Sequence, residues 1–506
     1  MICATITEKI FFLIPIFSIL WYTVDCIGAS VNKRDFPKIH FYDQDFVDIY
    51  DKTWAWIQDY WILPKTGENS TDGYFIHPQN DTYILDQLES IFSSFFLVYS
   101  NRNYPAYQNI DYFYARQEVD GAIRWKYNAL TDAPVSTATN PEGIGIPLFA
   151  WAEFNLYHKS GNKKRVKEVM PILKKYMEWI DATFKQENGL YAVPTESCGM
   201  YDAPRAGTHY PVDFNSLLAV NAMYMAALGD ILNDKDINFQ YKRQYFSLKT
   251  RINSMMWNDD TSFYHDLDEK AEHLPQKTIA GFLPLLAEIP NEDKATQMIA
   301  HLSDPTIFGT DHPFPTLSAD SPDFSEAGNG FHGSVYPPFN FMVIKGLEKY
   351  QRWDTARECA IRHLYYMIDA MFPNNPDIKG DLWEAYLPCK EGVASIEGDE
   401  NFPRKRYLPY AALSTIALMI ENVIGLAISL PRKTVDWIIP NLEIMGIENL
   451  ALKRNLITIL SNKSQRGWEI QMESEKLYYF TINILGQKKK TLPIPSGKCS
   501  MLIDKL

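Results

Sequence analysis

Three segments concentrate carboxylates, aromatic rings, Gly and Pro between apolar stretches, which is where a rigid scaffold displays functional groups. The first runs Thr195-Glu196-Ser197-Cys198-Gly199-Met200-Tyr201-Asp202-Ala203-Pro204-Arg205 and sets Asp202 near a cation, Arg205. The second, Asn329-Gly330-Phe331-His332-Gly333-Ser334-Val335-Tyr336-Pro337-Pro338, reads first as a helix entry, because Pro suits the first helical turn, and second as a ligand contact. The third, Gly380 to Pro388, brackets Glu384 between Trp383 and Tyr386. Each has a plainer reading. An Asp before Ala-Pro is a common turn former, and a Glu between rings can be an ordinary surface residue. If two such carboxyls meet over one substrate, the chemistry open to them is cleavage of a glycosidic bond. One carboxylic acid protonates the leaving oxygen, while a carboxylate activates water or attacks directly. A separation of roughly 6.5–9.5 Å leaves room for water and inverts configuration, whereas about 5 Å retains it. His209 and His332 are further candidate proton carriers, although a lone His near a loop is more often structural.

Other machinery has little support. The chain carries no Gly-x-Ser-x-Gly elbow, P-loop or dinucleotide fingerprint, and Gly143 and Gly145 lie at a helix entry with no preceding strand. Without Cys3 and Cys26, which fall in the leader, four scattered cysteines remain: Cys198, Cys359, Cys389 and Cys499. They permit three pairings and show no metal-ligand spacing. No motif demands a metal or an organic cofactor.

The composition narrows the partner. With 49 basic against 62 acidic residues and no long basic run, most of the surface repels a polyphosphate, so nucleic acid is a poor candidate. A neutral glycan fits better, because 12 Trp, 30 Tyr and 28 Phe offer faces on which sugar C–H groups stack. At the N-terminus, Lys9 precedes the apolar run Ile10 to Tyr22, and Cys26-Ile27-Gly28 offers small residues for cleavage. Residues 1–29 therefore read as a signal peptide. The expected product is exported, secreted or periplasmic, without stable membrane insertion; a lipid anchor at Cys26 is the weaker alternative because Asp25 makes a poor lipobox.

The elements that must position these loops are helical. From about residue 44 to 425, apolar residues recur at three- and four-residue steps in segments separated by Pro- and Gly-bearing loops. In one of them Val166, Val169, Met170, Leu173, Tyr176, Met177 and Ile180 make a single stripe. Similar segments are 46–62, 83–100, 107–118, 144–159, 212–232, 235–256, 276–288, 292–302, 335–350, 353–370 and 408–425. Twelve helices suit six inner ones wrapped by six outer ones, although the count alone also fits a helical solenoid. Ala411 to Leu430 is apolar enough to suggest a membrane span, but Glu421 and Asn422 sit inside it, and a barrel wall can pair a charge that a bilayer would have to solvate. After Pro431 the period changes to two: Trp468, Ile470 and Met472 alternate with polar residues, as do Tyr478, Phe480 and Ile482. The expected organisation is a mainly α (α/α)6 toroid barrel over 30–430 and a small C-terminal β domain, a β-sandwich-like appendage, over 431–506.

At the three loops the chain resembles the trehalase and family 63 superfamily of glycoside hydrolases, six-hairpin (α/α)6 barrels whose characterised members invert configuration. The likeness runs from about residue 75 to 425. "YILDQLESIFSSFFLVY" is similar to the family's Trp-Asp-Ser helix, "YARQEVDGAI" resembles its Gln-x-x-Asp-Gly loop, and "FHGSVYPPFNFMVIKGL" resembles its Trp-Arg-Gly-x-Val-Trp-Pro-Pro-x-Asn segment, the most specific match. The resemblance implies that Asp86, Gln117 and Asp120 line or support a sugar site, with Tyr336 where the family has Trp. It also implies that "LWEAYLP" holds the general base, at Glu384. The pattern breaks at the general acid, where Tyr201 takes the family's Asp position and Asp202 follows one step later. Leu85 replaces the family's Trp, and His332 stands near its Arg.

The expectation is thus an exported glycosidase acting on an α-linked glycan, with Asp202 as acid and Glu384 as base. Asp86, Gln117, Asp120, Arg205, His332, Tyr336 and Trp383 would hold the carbohydrate, with Arg205 turned toward sugar hydroxyls rather than toward Asp202. The rival reading is a secreted glycan-binding relative that has lost its acid. A weaker one is a polysaccharide lyase in which Tyr201 or His209 removes a proton next to a uronate carboxylate.

Overall fold

The computed structural model describes residues 36–62, 73–77, 83–200, 203–373, 380–438, 444–452, 455–464, 467–476, 478–484 and 488–503. The leader over 1–29 lies outside these residues, as do Tyr201 and Asp202.

Among the described residues eleven α-helices follow one another: α1 (Gln44–Ile57), α2 (Gln87–Leu97), α3 (Gln108–Tyr114), α4 (Phe149–Ser160), α5 (Lys163–Phe184), α6 (Val212–Leu232), α7 (Lys235–Met255), α8 (Glu292–Ala300), α9 (Pro337–Lys349), α10 (Trp353–Met371) and α11 (Leu408–Ala412). The last continues as a π-helical stretch, Leu413–Val423. Side-chain caps mark several starts, with Asp43, Asp86, Asn162, Asp234 and Asn291 each accepting first-turn backbone N–H groups.

The neighbours form a closed circuit. α2 packs on α4, α4 on α6, α6 on the 3-10 segment Ile279–Leu285, that segment on α9, α9 on α11 and its π continuation, and these on α2 again. A solenoid would leave its two ends apart; here the ends meet. The patterning follows position. Inner α6 is buried along most of its length and has little amphipathic character, whereas outer α5 buries the single stripe from Val166 to Ile180. The segment expected as a helix over 276–288 is shorter and tighter, a 3-10 turn. Pro284 lacks an N–H for the ladder, and a Cβ on Gly281 would stand 2.5 Å from the Tyr264 carbonyl oxygen.

Glu421, inside the apolar stretch that raised the membrane alternative, is paired within the wall. It takes hydrogen bonds from Tyr99 Oη at 2.6 Å and Lys345 Nζ at 2.8 Å, and from the Lys159 ammonium. Burial would raise its carboxyl, yet Lys159 and Lys345 pull it down to about 2. Among the described residues one helix, α6, is long and apolar enough to cross a membrane, and it is a buried inner helix of the ring.

Besides three two-stranded pairs, the described residues form two larger sheets. The first orders its strands Lys38–Phe41, Ile444–Leu452, Asn455–Ser464, Gly467–Ser474 and Gly497–Ile503; the second orders Lys488–Ile494, Tyr478–Ile484, Thr434–Ile438 and Leu426–Ser429. The β part thus starts at Leu426 and recruits a strand from the other end of the chain. Val435, Trp437, Ile447, Ile459 and Ile470 are fully buried and continuous with the barrel core. Trp437 donates its indole N–H to the Ile424 carbonyl at the end of the π-helical stretch, 2.7 Å.

Candidate active site

A cavity of about 600 Å3 opens at the end of the ring where α2 and α9 begin. Asp86 is held there by its own helix. As the N-cap of α2 it accepts the Leu88 and Glu89 N–H groups at 2.8 and 3.2 Å, while Lys126 Nζ lies 3.3 Å from its other oxygen. Lys126 faces it because the short strand Lys126–Asn128 pairs with Ile84–Asp86 in antiparallel register.

Glu384 is far from Asp86 in sequence but lines the same cavity, 9% exposed. Arg404 grips both oxygens, Nε to Oε2 at 2.8 Å and Nη2 to Oε1 at 2.6 Å, and its backbone N–H adds a third bond at 3.1 Å. The Arg404 guanidinium lies 3.6 Å over the Tyr407 ring. Such a fork is charge-assisted and fixes the carboxylate plane. His77 lies against Tyr407, ring centres 4.6 Å apart, and burial followed by the Arg404 charge lowers it to about 4, so it is neutral near pH 7.

Aromatic walls complete the cavity. Tyr336, the N-cap of α9 ahead of two prolines, stacks on Phe331 at 4.5 Å and 17°, and Trp125, Phe339 and Phe402 add further faces. Glu196, Ser197 and Gly199 of the Thr195–Arg205 loop also line it; Glu196 Oε2 accepts the Thr137 hydroxyl at 2.6 Å and that of Thr139. The arrangement offers carboxylates on several sides, ring faces for stacking and a neutral imidazole.

The structure brings Asp86, Tyr336 and Glu384 together and puts the other expected contacts elsewhere. Arg205 is 4% exposed and spends its guanidinium on two carboxylates, Asp213 at 2.8 and 2.9 Å and Asp266 at 2.7 and 2.8 Å. The expectation that it turns toward sugar hydroxyls is corrected: Arg205 is buried between two carboxylates that take four of its five N–H groups, and it does not line the cavity. Gln117 donates to the Gly121 and Ile172 carbonyls at 3.0 and 2.8 Å, and Asp120 caps a turn through Ala122 N–H at 3.0 Å; neither lines the cavity. His332 sits 3.3 Å from the Asp323 carbonyl, outside the lining, and His209 packs on Tyr210. Trp383 also misses the cavity, because the alternation along Trp383-Glu384 sends neighbouring side chains apart; its ring carries Lys405 at 5.5 Å instead. Asp202 lies outside the described residues, two positions beyond the buried Met200 of the cavity loop.

Sequence reasoning passed over Glu89, Arg404, His77 and Lys126. Only Glu89 left a signal, its place three residues after the Asp86 cap.

Residues 100–389 match the family described as mannosylglycerate hydrolase MGH1-like glycoside hydrolase domain, and residues 425–506 match the one described as trehalase, C-terminal domain. The chain is 54% identical over 477 residues to an uncharacterized protein of Borreliella burgdorferi, covering 94% of this chain and 100% of that one. It is 25% identical over 166 residues to a periplasmic trehalase of Escherichia coli O1:K1 / APEC, 31% of this chain but only 27% of the trehalase. In fold it is similar to the GH63 mannosylglycerate hydrolase from Thermus thermophilus in complex with glucose, with a TM-score of 0.58 at 17% identity over 73% of this chain and 99% of that one.

Proposed function

Because the chain belongs to the mannosylglycerate hydrolase MGH1-like family of glycoside hydrolases, we propose that it hydrolyses an α-linked glycoside with inversion, using Glu384 as the base and Asp202 as the acid. The observation that carries the reading is the position of Glu384: a fixed carboxylate in a ring-walled cavity that also holds Asp86 and Tyr336. Water set between Glu384 and the anomeric carbon gives its proton to the carboxylate as it attacks, and the acid protonates the departing oxygen from the other face. Asp202 belongs to the loop whose Glu196, Ser197 and Gly199 line the cavity, which supports its role as that acid. Tyr336, Phe331 and Trp125 supply stacking faces for the sugar. The apolar run after Lys9 and the likeness to a periplasmic trehalase support action outside the cytoplasm.

The test is incubation with α-linked glycosides, trehalose and mannosylglycerate among them, with the anomer of the first product read by NMR. The expected first product is the β-anomer. Glu384→Gln should lower kcat about 10²–10⁴-fold with sugar binding intact, and unchanged turnover would remove Glu384 as the base.

A second reading is a glycan-binding protein without turnover. It is favoured by Tyr201 at the family's acid position and by Arg404, which occupies both oxygens of Glu384. A shift in Tm with mono- or disaccharides but no product from any of them would establish it.

A further inference from the structure

Glu89 sits in the first turn of α2, three residues after the Asp86 cap, the spacing of a capping box in which the Glu turns back to the helix start. Its side chain is used otherwise. It lines the cavity and accepts the hydroxyl of Tyr407, from the loop that leads into α11. Three other carboxylates on the cavity wall are better supplied, while Asp399 accepts the Asn401 backbone N–H at 2.9 Å. Asp86 has Lys126 and two backbone N–H groups, Glu384 has Arg404, and Glu196 has two threonine hydroxyls. Among the described residues no ion pair reaches Glu89.

We propose that Glu89 is a substrate-contacting residue that donates a carboxyl O–H hydrogen bond to an oxygen of the bound sugar. The proposal rests on the glycosidase reading above. Tyr407 donates its hydroxyl hydrogen bond to Oε1, which leaves Oε2 as the oxygen that can carry the carboxyl proton and present it to a ligand. A neutral acid in this wall suits a neutral, hydroxyl-rich ligand, because it adds a donor among carboxylates that only accept.

The surroundings favour that form. Burial and then the charge of Asp86 raise Glu89 to about 8, against the pull of Arg404 and Lys126, with Glu384 adding to the rise. Those are the charged groups around it: Asp86 on its own helix, Lys126 on the adjoining strand, Arg404 and Glu384 on the loops ahead of α11. Tyr407 and Tyr410 add phenols, and the Tyr410 phenol is held protonated by burial and by Glu89 itself. His77, lowered to about 4, stays neutral throughout the range that matters. Above pH 8 the proton leaves, the donor is lost, and a charge appears beside Asp86 and Glu384. Sugar affinity should therefore fall on the alkaline side.

Calorimetric titration of the full chain with D-glucose and D-mannose across pH 6–9 tests this. With only the neutral form binding and a carboxyl near 8, Kd should rise about tenfold between pH 7 and pH 9. Glu89→Gln, whose amide N–H replaces the O–H, should keep the neutral-pH affinity and lose the alkaline rise; Glu89→Leu should bind weakly and evenly at every pH. An alkaline rise that persists in Glu89→Gln, or a wild-type Kd that does not change with pH, overturns the proposal and leaves the glycosidase reading standing. Failure of both sugars to bind at any pH, with no turnover of any glycoside, removes the two together. A readout independent of ligand is the infrared C=O stretch of a protonated carboxyl. It should disappear as pH passes 8 in the wild type and be missing from Glu89→Gln, and its presence in that variant would assign the proton to another group.

Discussion

Arg205 and Arg404 show how one residue type serves two ends. Both arginine–carboxylate forks are bidentate, but Arg205 joins Asp213 to Asp266 inside the wall, whereas Arg404 orients Glu384 at the cavity edge. Removing Arg205 leaves two buried carboxylates without their cation. Arg205→Met should cost about 3–5 kcal/mol in denaturant titration, while an equal change at an exposed arginine should be nearly silent. Glu384, Asp86 and Tyr336, which line one cavity, were reached from the sequence through the local motifs that carry the family resemblance. Arg205 was not, since the second of its partners, Asp266, is far along the chain and nothing local announces it. Glu89 was hidden by its own spacing: Asp-x-x-Glu reads as a helix start, and only the tertiary approach of Tyr407 turns the side chain to the cavity.

At the scale of elements, the apolar stripes located eleven of the helices to within a few residues at most ends, because burial on one face writes a 3.6-residue period into the chain. The segment over 276–288 deviates where Pro284 and Gly281 override that period. Contacts between elements carry a pH signature that periodicity cannot reveal. His312, in the loop between α8 and α9, has its Nε2 2.7 Å from Nδ1 of His363 on α10, whose own Nε2 is 2.9 Å from Ser414 Oγ in the π-helical stretch. Burial, and for His312 then the neighbouring His363, lowers both; His363 falls to about 3. A histidine whose folded value lies below its unfolded value of about 6.5 stabilises the fold fully above 6.5, and that contribution is lost as pH falls toward the folded value. Unfolding free energy should therefore drop on acidification from pH 6.5 to 4, by about 1.4 kcal/mol per pH unit for each such histidine. A flat profile over that window would show that the pair is not held neutral.

At the scale of the whole molecule, barrel and sheets share one core. Trp437 hands its N–H to Ile424 and the buried strand residues continue the packing of the inner helices. Far-ultraviolet circular dichroism and tryptophan fluorescence should accordingly report one coincident unfolding transition in urea; two separated midpoints would mean that the β part comes apart on its own. The ring closure and the sheet order were less legible than the helices, since both depend on contacts between residues far apart in sequence. The change of period after Pro431 announced strands, but nothing in it announced the strand recruited from near the N-terminus.

That recruited strand has a temporal meaning. Lys38–Phe41 pairs with Met445–Glu448, so this early segment has a hydrogen-bonding neighbour that is made some four hundred residues later. Its amide groups stay with water until nearly the whole polypeptide exists, and closing so long a loop comes late because its entropy must be met before any contact rewards it. A strand placed this way cannot be locked as it emerges; it stays free to thread until the last eighth of the chain arrives.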